Sequence, residues 1–395
     1  MPRQRKTQTS MPRGTSQLVA LVRASQNSTS RFEDRFWESR IQALVEKHLA
    51  AGQDDVIEAA LNELAGTRAD EADDLLEHVQ AASQSLELTV DGQPWQVLLI
   101  TCALAVWTRY QLPQVALADA DMTHFTEGLQ QCVLAPDVQI HALPKLLGLD
   151  EMPRSFAEIH HWVQQLGTRA LGKRTPLPTI ITMEPNPALL VDTRHLVLAV
   201  AVRAGEPLFR WQADISQTPD RCRQAWESFI NPVLTKLLPG CQFQVLLPQP
   251  YHASIELSEQ QVRIVAIHSA SQWLQSALNL KPGELRATVA AVGEQGAQEY
   301  RIGYHRGRQE DVIYGTIWPI FEDYAPDGAE SVINDVDEIA AILKSTGVNH
   351  IKRIPGVLLP ESCEDCGAPL FPNPDGELVH VELPEEAFDA PQHFH

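Results

Sequence analysis

Two thiols, Cys363 and Cys366, stand with Glu364 and Asp365 between them and Gly367 behind them. No other pair in the chain is better placed to do chemistry. As thiolates, both can reach one tetrahedral ion at ~2.3 Å through a tight knuckle turn. A glycine after the second thiol accepts the positive φ that such a turn requires. The remaining ligands must come from elsewhere. His380 lies one ordinary loop length beyond Cys366, and His393 and His395 follow near the end. In an extended segment, alternate residues fall on one side, so His393 and His395 could each or both close the site. A structural zinc is the preferred reading, with a redox pair and two unligated thiols as alternatives. Glu364 and Asp365 disfavour the redox reading, because carboxylates raise the cost of a thiolate and redox pairs sit in electropositive settings. A catalytic zinc would keep an open position, whereas several ligands on one tail suit a closed site.

Other candidates are weaker. Asp119, Asp121, His124 and Glu127 cluster where a helix should begin and could hold a divalent cation, but acids favour helix starts through the dipole alone. His160 and His161 precede Trp162 within a helical pattern, one expected to face the core and the other solvent. The run Gly303-Tyr304-His305-Arg306-Gly307-Arg308 reads as a hairpin tip that could grip a carboxylate or phosphate, or as a plain solvated turn. Cys102, Cys132, Cys222 and Cys241 lie singly in apolar or helical surroundings and read as small core residues. No spacing fits a phosphate loop, a dinucleotide fold, a serine nucleophile or a protein kinase, so no catalytic residue is assignable.

These residues sit in a chain of 395 with 44% apolar composition and a net charge of −20. That length suits two or three domains with a core that needs no disulfides. The charge is lopsided. Residues 1–30 carry Arg3, Arg5, Lys6, Arg13 and Arg23 and no acid, while residues 322–395 carry sixteen acids against Lys344, Lys352 and Arg353. An acidic body repels phosphate backbones, so nucleic-acid binding is disfavoured except through the basic arm. Met11-Pro12-Arg13 echoes Met1-Pro2-Arg3, which makes Met11 an alternative start. The longest apolar run, 97–107, is about half a membrane span. The first thirty residues have too short an apolar stretch for a secretory signal. The expected location is the cytoplasm, with no membrane contact.

The chain then reads as a series of segments: a basic tail 1–16 expected to be disordered, helices over 17–84, α/β units at 85–185 and 186–282, a partial third unit at 283–356, and a cysteine/histidine tail at 357–395. Phe32, Phe36, Trp37, Ile41, Leu44, Val45 and Leu49 recur at helical spacing, and Ser30 with Glu33 forms a capping-box pattern. A hairpin is expected from Leu88-Thr89-Val90-Asp91-Gly92 into 97–106. A helix should follow near 122–134, then a strand at 138–143 stopped by Pro144, then a helix at 155–171. The order returns about a hundred residues later. Leu189-Leu190-Val191-Asp192-Thr193 should turn into a strand at 196–202, with a helix at 220–238, a strand at 242–247 stopped by Pro248, and a helix at 258–278. This reads as a duplicated β-β-α-β-α unit. Strands near 285–292, 299–305 and 312–317, a helix near 335–343 and a strand at 348–354 ended by Pro355 would make the third. The fold class is therefore α/β, with α+β as the alternative.

Three stretches carry a resemblance: Arg31-Phe32-Glu33-Asp34-Arg35-Phe36-Trp37-Glu38, Ala105-Val106-Trp107-Thr108-Arg109-Tyr110, and the Cys363–Leu370 run with Pro391-Gln392-His393-Phe394-His395. In these the chain resembles a family of uncharacterised bacterial proteins catalogued only as a domain of unknown function. The resemblance implies no activity, substrate or catalytic residue. The Cys-x-x-Cys-Gly-x-x-Leu run is also similar to one half of a zinc ribbon, with histidines where a ribbon has its second cysteine pair. The expected role is that of a cytoplasmic interaction or regulatory protein with a structural zinc, an unidentified protein partner and possible self-association. The alternative is a hydrolase or transferase with a site between the two α/β units. A nucleic-acid-associated factor is the weaker third reading.

Overall fold

The computed structural model describes residues 12, 14–108, 112–181, 191–281, 283–294, 296–307, 311–321 and 335–384. The chain divides into two compact units, Met1–Ser258 and Glu259–His395. It is a mixed α/β protein.

The first unit begins with helices α1 (Thr15–Ser25), α2 (Arg31–Ala50), α3 (Asp54–Ala65) and α4 (Ala69–Gln84). Their apolar stripes meet in one core that includes Leu18, Ile41, Val45, Ile57, Leu64, Leu75 and Val79. Half of the capping box forms: Ser30 Oγ accepts from the Glu33 N–H at 3.4 Å, while Glu33 Oε2 accepts from Ser30 Oγ at 2.9 Å and from the Thr29 N–H at 3.2 Å. These bonds hold the Glu33 carboxyl below its ordinary pKa. The stripe of α2 is only half used. Ile41, Val45 and Leu49 are buried, but Phe32 is 85% exposed and Phe36 47%. The first turns of α2 thus present aromatics outward, with Arg40 over the Phe36 ring at 4.6 Å.

A seven-stranded sheet follows. It contains β1 (Ser85–Val90), β2 (Gln93–Thr108), β3 (Val115–Ala116) and, after α5 (Asp119–Cys132), β4 (Gln139–Leu147). Then come α6 (Phe156–Ala170), β5 (Val191–Arg203), α7 (Arg210–Ala213), α8 (Pro219–Leu237), β6 (Cys241–Val245), β7 (Gln249–Pro250) and α9 (Tyr251–Ala277), within which the first unit ends. The order is β1-β2-β5-β4-β3, with β6 and β7 also on β2. The long antiparallel pair β2–β5 runs from Trp95↔Arg203 to Trp107↔Val191. Both of its faces are covered, which is why residues 97–106 read as an apolar run interrupted only by Thr101. On one face Leu104, Val106, Leu196 and Leu198 pack against Phe125, Trp226, Ile230 and Leu234 of α5 and α8. On the other, Val97, Leu99, Val197 and Ala199 pack against Ile159, Trp162, Val163 and Leu166 of α6, with Tyr251 from the first turn of α9.

The two segments that read as copies share this central pair of strands. β4 follows α5 and pairs with β5, while β6 and β7 follow α8 and pair with β2. Each segment's later strand therefore lies on the other segment's central strand. Proline acts differently from expectation. It does not stop β4 at Pro144. The ladder breaks between Ala142 and Leu146 and then resumes, because a missing N–H costs one rung rather than the strand. The stretch holding Pro248 likewise separates β6 from β7. The second Val-Asp pair, Val191-Asp192, lies inside β5 and makes no turn. The residues that would precede it, 182–190, lie outside the described ones.

The second unit holds β8 (Leu285–Val292), β9 (Glu299–Arg306), β10 (Tyr314–Pro319), α10 (Asp335–Ser345) and β11 (His350–Leu358). The order is β10-β9-β8-β11, with β11 parallel to β8. Pro355 does not end β11 either. It sits in a bulge between Ile354 and Val357. A two-stranded hairpin, β12 (Phe371–Pro372) and β13 (Leu378–Val379), completes the unit. None of the described helices is long and apolar enough to cross a membrane.

Candidate metal centre

The knuckle is closed by its own backbone. The Gly367 N–H donates to the Cys363 carbonyl at 2.9 Å, and the Cys363 N–H to the Ala368 carbonyl at 2.8 Å. Gly367 takes φ +73°, a conformation most side chains resist. The backbone N–H groups of Cys366 and Asp365, with a further contribution from the Cys366 side chain, hold the Cys363 thiol below its usual pKa. A hydrogen-bonded sulfur of this kind favours the thiolate that a metal needs.

Short-range turn chemistry brings His380 to the thiols. Asn373 Oδ1 accepts from the N–H groups of Asp375 and Glu377, both at 2.9 Å. The Gly376 N–H donates to the Asn373 carbonyl at 3.1 Å. This turn folds β13 back on β12 with Phe371 opposite Val379, so His380 arrives beside the knuckle. Its Nε2 lies 3.3 Å from Cys366 Sγ. The ligand atoms of Cys363, Cys366 and His380 all lie within 4.8 Å of one another. Sulfur and nitrogen ligands of one tetrahedral zinc stand about 3.5 Å apart, so this separation is close to a ligated one. Two thiols and an imidazole form a donor set suited to a borderline divalent metal. Among the described residues this is the single group of three or more such side chains gathered closely enough for an ion. His393 and His395 lie outside the described residues, as do Arg3, Arg5, Lys6 and Arg13 of the basic arm.

The centre is fixed to the sheet by groups that no metal motif would reveal. The buried Arg301 of β9 donates through Nη1 to the Glu361 and Leu370 carbonyls, both at 2.7 Å, and pairs through Nε with Glu299 at 2.7 Å. Gly303 and Gly315 leave the space that the Pro372 carbonyl and the Phe371 ring occupy; a Cβ on either would collide. The turn signal Asn373-Pro374-Asp375-Gly376 was readable and singles out His380. Arg301 and the two glycines carried no such signal, since their meaning depends on what lies opposite.

The other candidates separate. Asp121 accepts from the Ala118 N–H at 3.2 Å, and the His124 ring N–H donates to the Ala120 carbonyl at 2.8 Å. They cap and brace α5 and gather no cation site with Asp119 and Glu127. His160 is half-buried and donates to the Ala82 carbonyl at 3.2 Å, while His161 is exposed, as the pattern implied. The expected tip at Gly303–Arg306 is part of β9, with Tyr304 and His305 buried, so it offers no grip; Arg308 lies outside the described residues. Cys102 and Cys222 belong to the sheet core and Cys132 and Cys241 pack against it. Burial raises all four thiols above their ordinary pKa. A buried Thr101–His195–Ser254 set has hydroxyl-to-ring and hydroxyl-to-hydroxyl distances of 3.3 and 2.6 Å. All three are essentially solvent-free, so no substrate reaches them.

An α/β body with a Cys/Cys/His centre on its C-terminal tail defines the class. The chain belongs to the family described as Protein of unknown function (DUF2863), whose model matches residues 3–394. No curated protein and no solved structure matches it.

Proposed function

We propose that this is a cytoplasmic interaction or regulatory protein whose tail is held in shape by a structural zinc ion. The observation that carries the metal half is the convergence of Cys363, Cys366 and His380. Zinc suits a thiolate-imidazole donor set, and its tetrahedral demand leaves one place for a fourth ligand. One of His393 and His395 supplies that ligand in this proposal. The tail justifies an ion. The 359–384 stretch buries Phe371 and Asn373 but otherwise few large side chains, so it has little apolar area to offset its ordering entropy.

The interaction half rests on Phe32 and Phe36, exposed side by side on α2. Aromatic groups beside an arginine are the residue types that anchor interfaces. Six unpaired cysteines suit a reducing compartment.

Metal analysis of protein purified without a histidine tag tests the first half. About one equivalent of zinc, lost in Cys363→Ser with Cys366→Ser, supports it. An intact chain without zinc, or a double variant that keeps it, overturns it. Affinity purification from the native cell tests the second half. A protein partner, or a second copy, retained by the intact chain and lost in Phe32→Ser with Phe36→Ser supports it. Retention of every bound protein by that variant removes the α2 surface from the proposal.

A further inference from the structure

The first unit contains a cleft of about 880 Å³ that the metal centre does not touch. Its size falls in the range of small-molecule sites, about 300–1,000 Å³. One wall is the end of α2 and the start of α3. The other is the 150–155 segment and the first turns of α6, and residues 179–181 form part of the rim.

The lining is chemically lopsided. Its floor is apolar, with Met152 and Trp162, and Ile181 stands on the rim 72% exposed. Ion pairing accounts for part of its charge. Glu151 is matched by Lys145 at 2.6 Å, and Asp150 by Arg154 at 3.1 Å. Arg154 is the one lysine or arginine in the lining, and it is spent on that pair. Asp54 and Glu158 remain. Each commits one oxygen to a backbone N–H, Asp54 Oδ1 to Ala157 and Glu158 Oε2 to Arg154, both at 3.0 Å. Among the described residues, no hydrogen bond or ion pair engages the second oxygen of either. Deeper on α6, Gln165 Oε1 is buried with no hydrogen-bond partner. The cleft therefore offers unmatched acceptors over an apolar floor.

We propose that this cleft binds an amphipathic organic cation: a primary or secondary ammonium group carried on an apolar body. The ammonium supplies N–H donors to the second oxygens of Asp54 and Glu158. The apolar body covers Met152, Trp162 and Ile181, whose burial is favoured at about 25 cal/mol per Å². Carboxylates so placed reject anions, since like charges in a partly dry site repel strongly. The idea is independent of zinc in the tail.

The probes are phenethylamine, its neutral analogue phenethyl alcohol and the anion 3-phenylpropionate, titrated by ligand-observed NMR against the full chain in low salt. The amine should bind in the millimolar range or better, the alcohol about tenfold more weakly, as a lost charge-assisted bond implies, and the acid not at all. Asp54→Asn with Glu158→Gln keeps both backbone caps, because the amide oxygens still accept, and should weaken the amine about tenfold or more. Ile181→Asn alters an exposed residue whose loss cannot unfold the chain, and should weaken amine and alcohol alike. No amine binding at 10 millimolar, equal binding of amine and acid, or an amine affinity unmoved by both sets of substitutions would each overturn the proposal.

Discussion

The two sheets of this molecule are covered in different ways. The β2–β5 sheet has helices on both faces, and their large side chains interlock with it: Trp226 and Phe125 on one side, Trp162 and Leu166 on the other. The β8–β9 sheet has one face where a short hairpin rests on two glycines, with an arginine holding two carbonyls above it. The first cover is held by apolar area. The second is held by backbone shape and a few polar bonds, which is the setting where an ion adds most.

The comparison breaks first at the helix-covered sheet if its apolar area is not what holds it. Trp226→Ala removes a fully buried ring between α8 and the sheet. It should cost about 3–5 kcal/mol by denaturant unfolding. A loss below about 1 kcal/mol would mean that this face is not a packed core.

A second test uses acid. His195 is wholly buried on β5, and desolvation first, then Arg194, pushes its pKa down to about 3. The unfolded chain takes up a proton near pH 6.5 while the folded one does not. Stability is therefore full above about pH 6.5 and falls as the pH drops toward 3. At pH 4.5 the loss is about 2–3 kcal/mol. His195→Gln should flatten that part of the stability profile. An unchanged slope would assign the acid sensitivity to other groups.

At the thin cover, Gly303→Ala pushes a methyl group at the Pro372 carbonyl, and Arg301→Met removes both carbonyl bonds. Each should cost about 1–3 kcal/mol. The readout that matters is location. Amide exchange should rise over 361–384 while β2 and β5 keep their protection. Uniform loss across both sheets would erase the distinction between the two kinds of cover.

The smallest expected effect is Ser30→Ala, which removes the cap of α2. About 0.5–1 kcal/mol should be lost in thermal unfolding. No change would show that tertiary packing, rather than the cap, fixes where α2 begins.

Much of this was written locally. The 3.6-residue pattern gave α2 to α4, and the Leu-Pro segments marked the two places where a ladder breaks. The β8, β9 and β10 strands fell close to where alternation and turn residues put them. Cys363, Cys366 and His380 were named from residue type and spacing, because a knuckle and a loop are short-range devices. What spacing could not assign was the partner of each strand. Whether β4 lies on β2 or on β5 is decided by which long-range pairing buries both faces of the centre, and both choices satisfy the same local pattern. Phe32 and Phe36 continue the stripe of Ile41 and Val45, yet α2 outruns the bundle that covers it, so an identical periodicity is buried at one end and bare at the other. Gly303 and Gly315 look like weak strand residues until a hairpin is laid over them. The sequence by itself determined most of the longer elements and pointed to the candidate metal ligands, since those depend on neighbours a few residues away. Only the tertiary structure decided what each face meets, because burial is a property of two surfaces and a sequence pattern describes one.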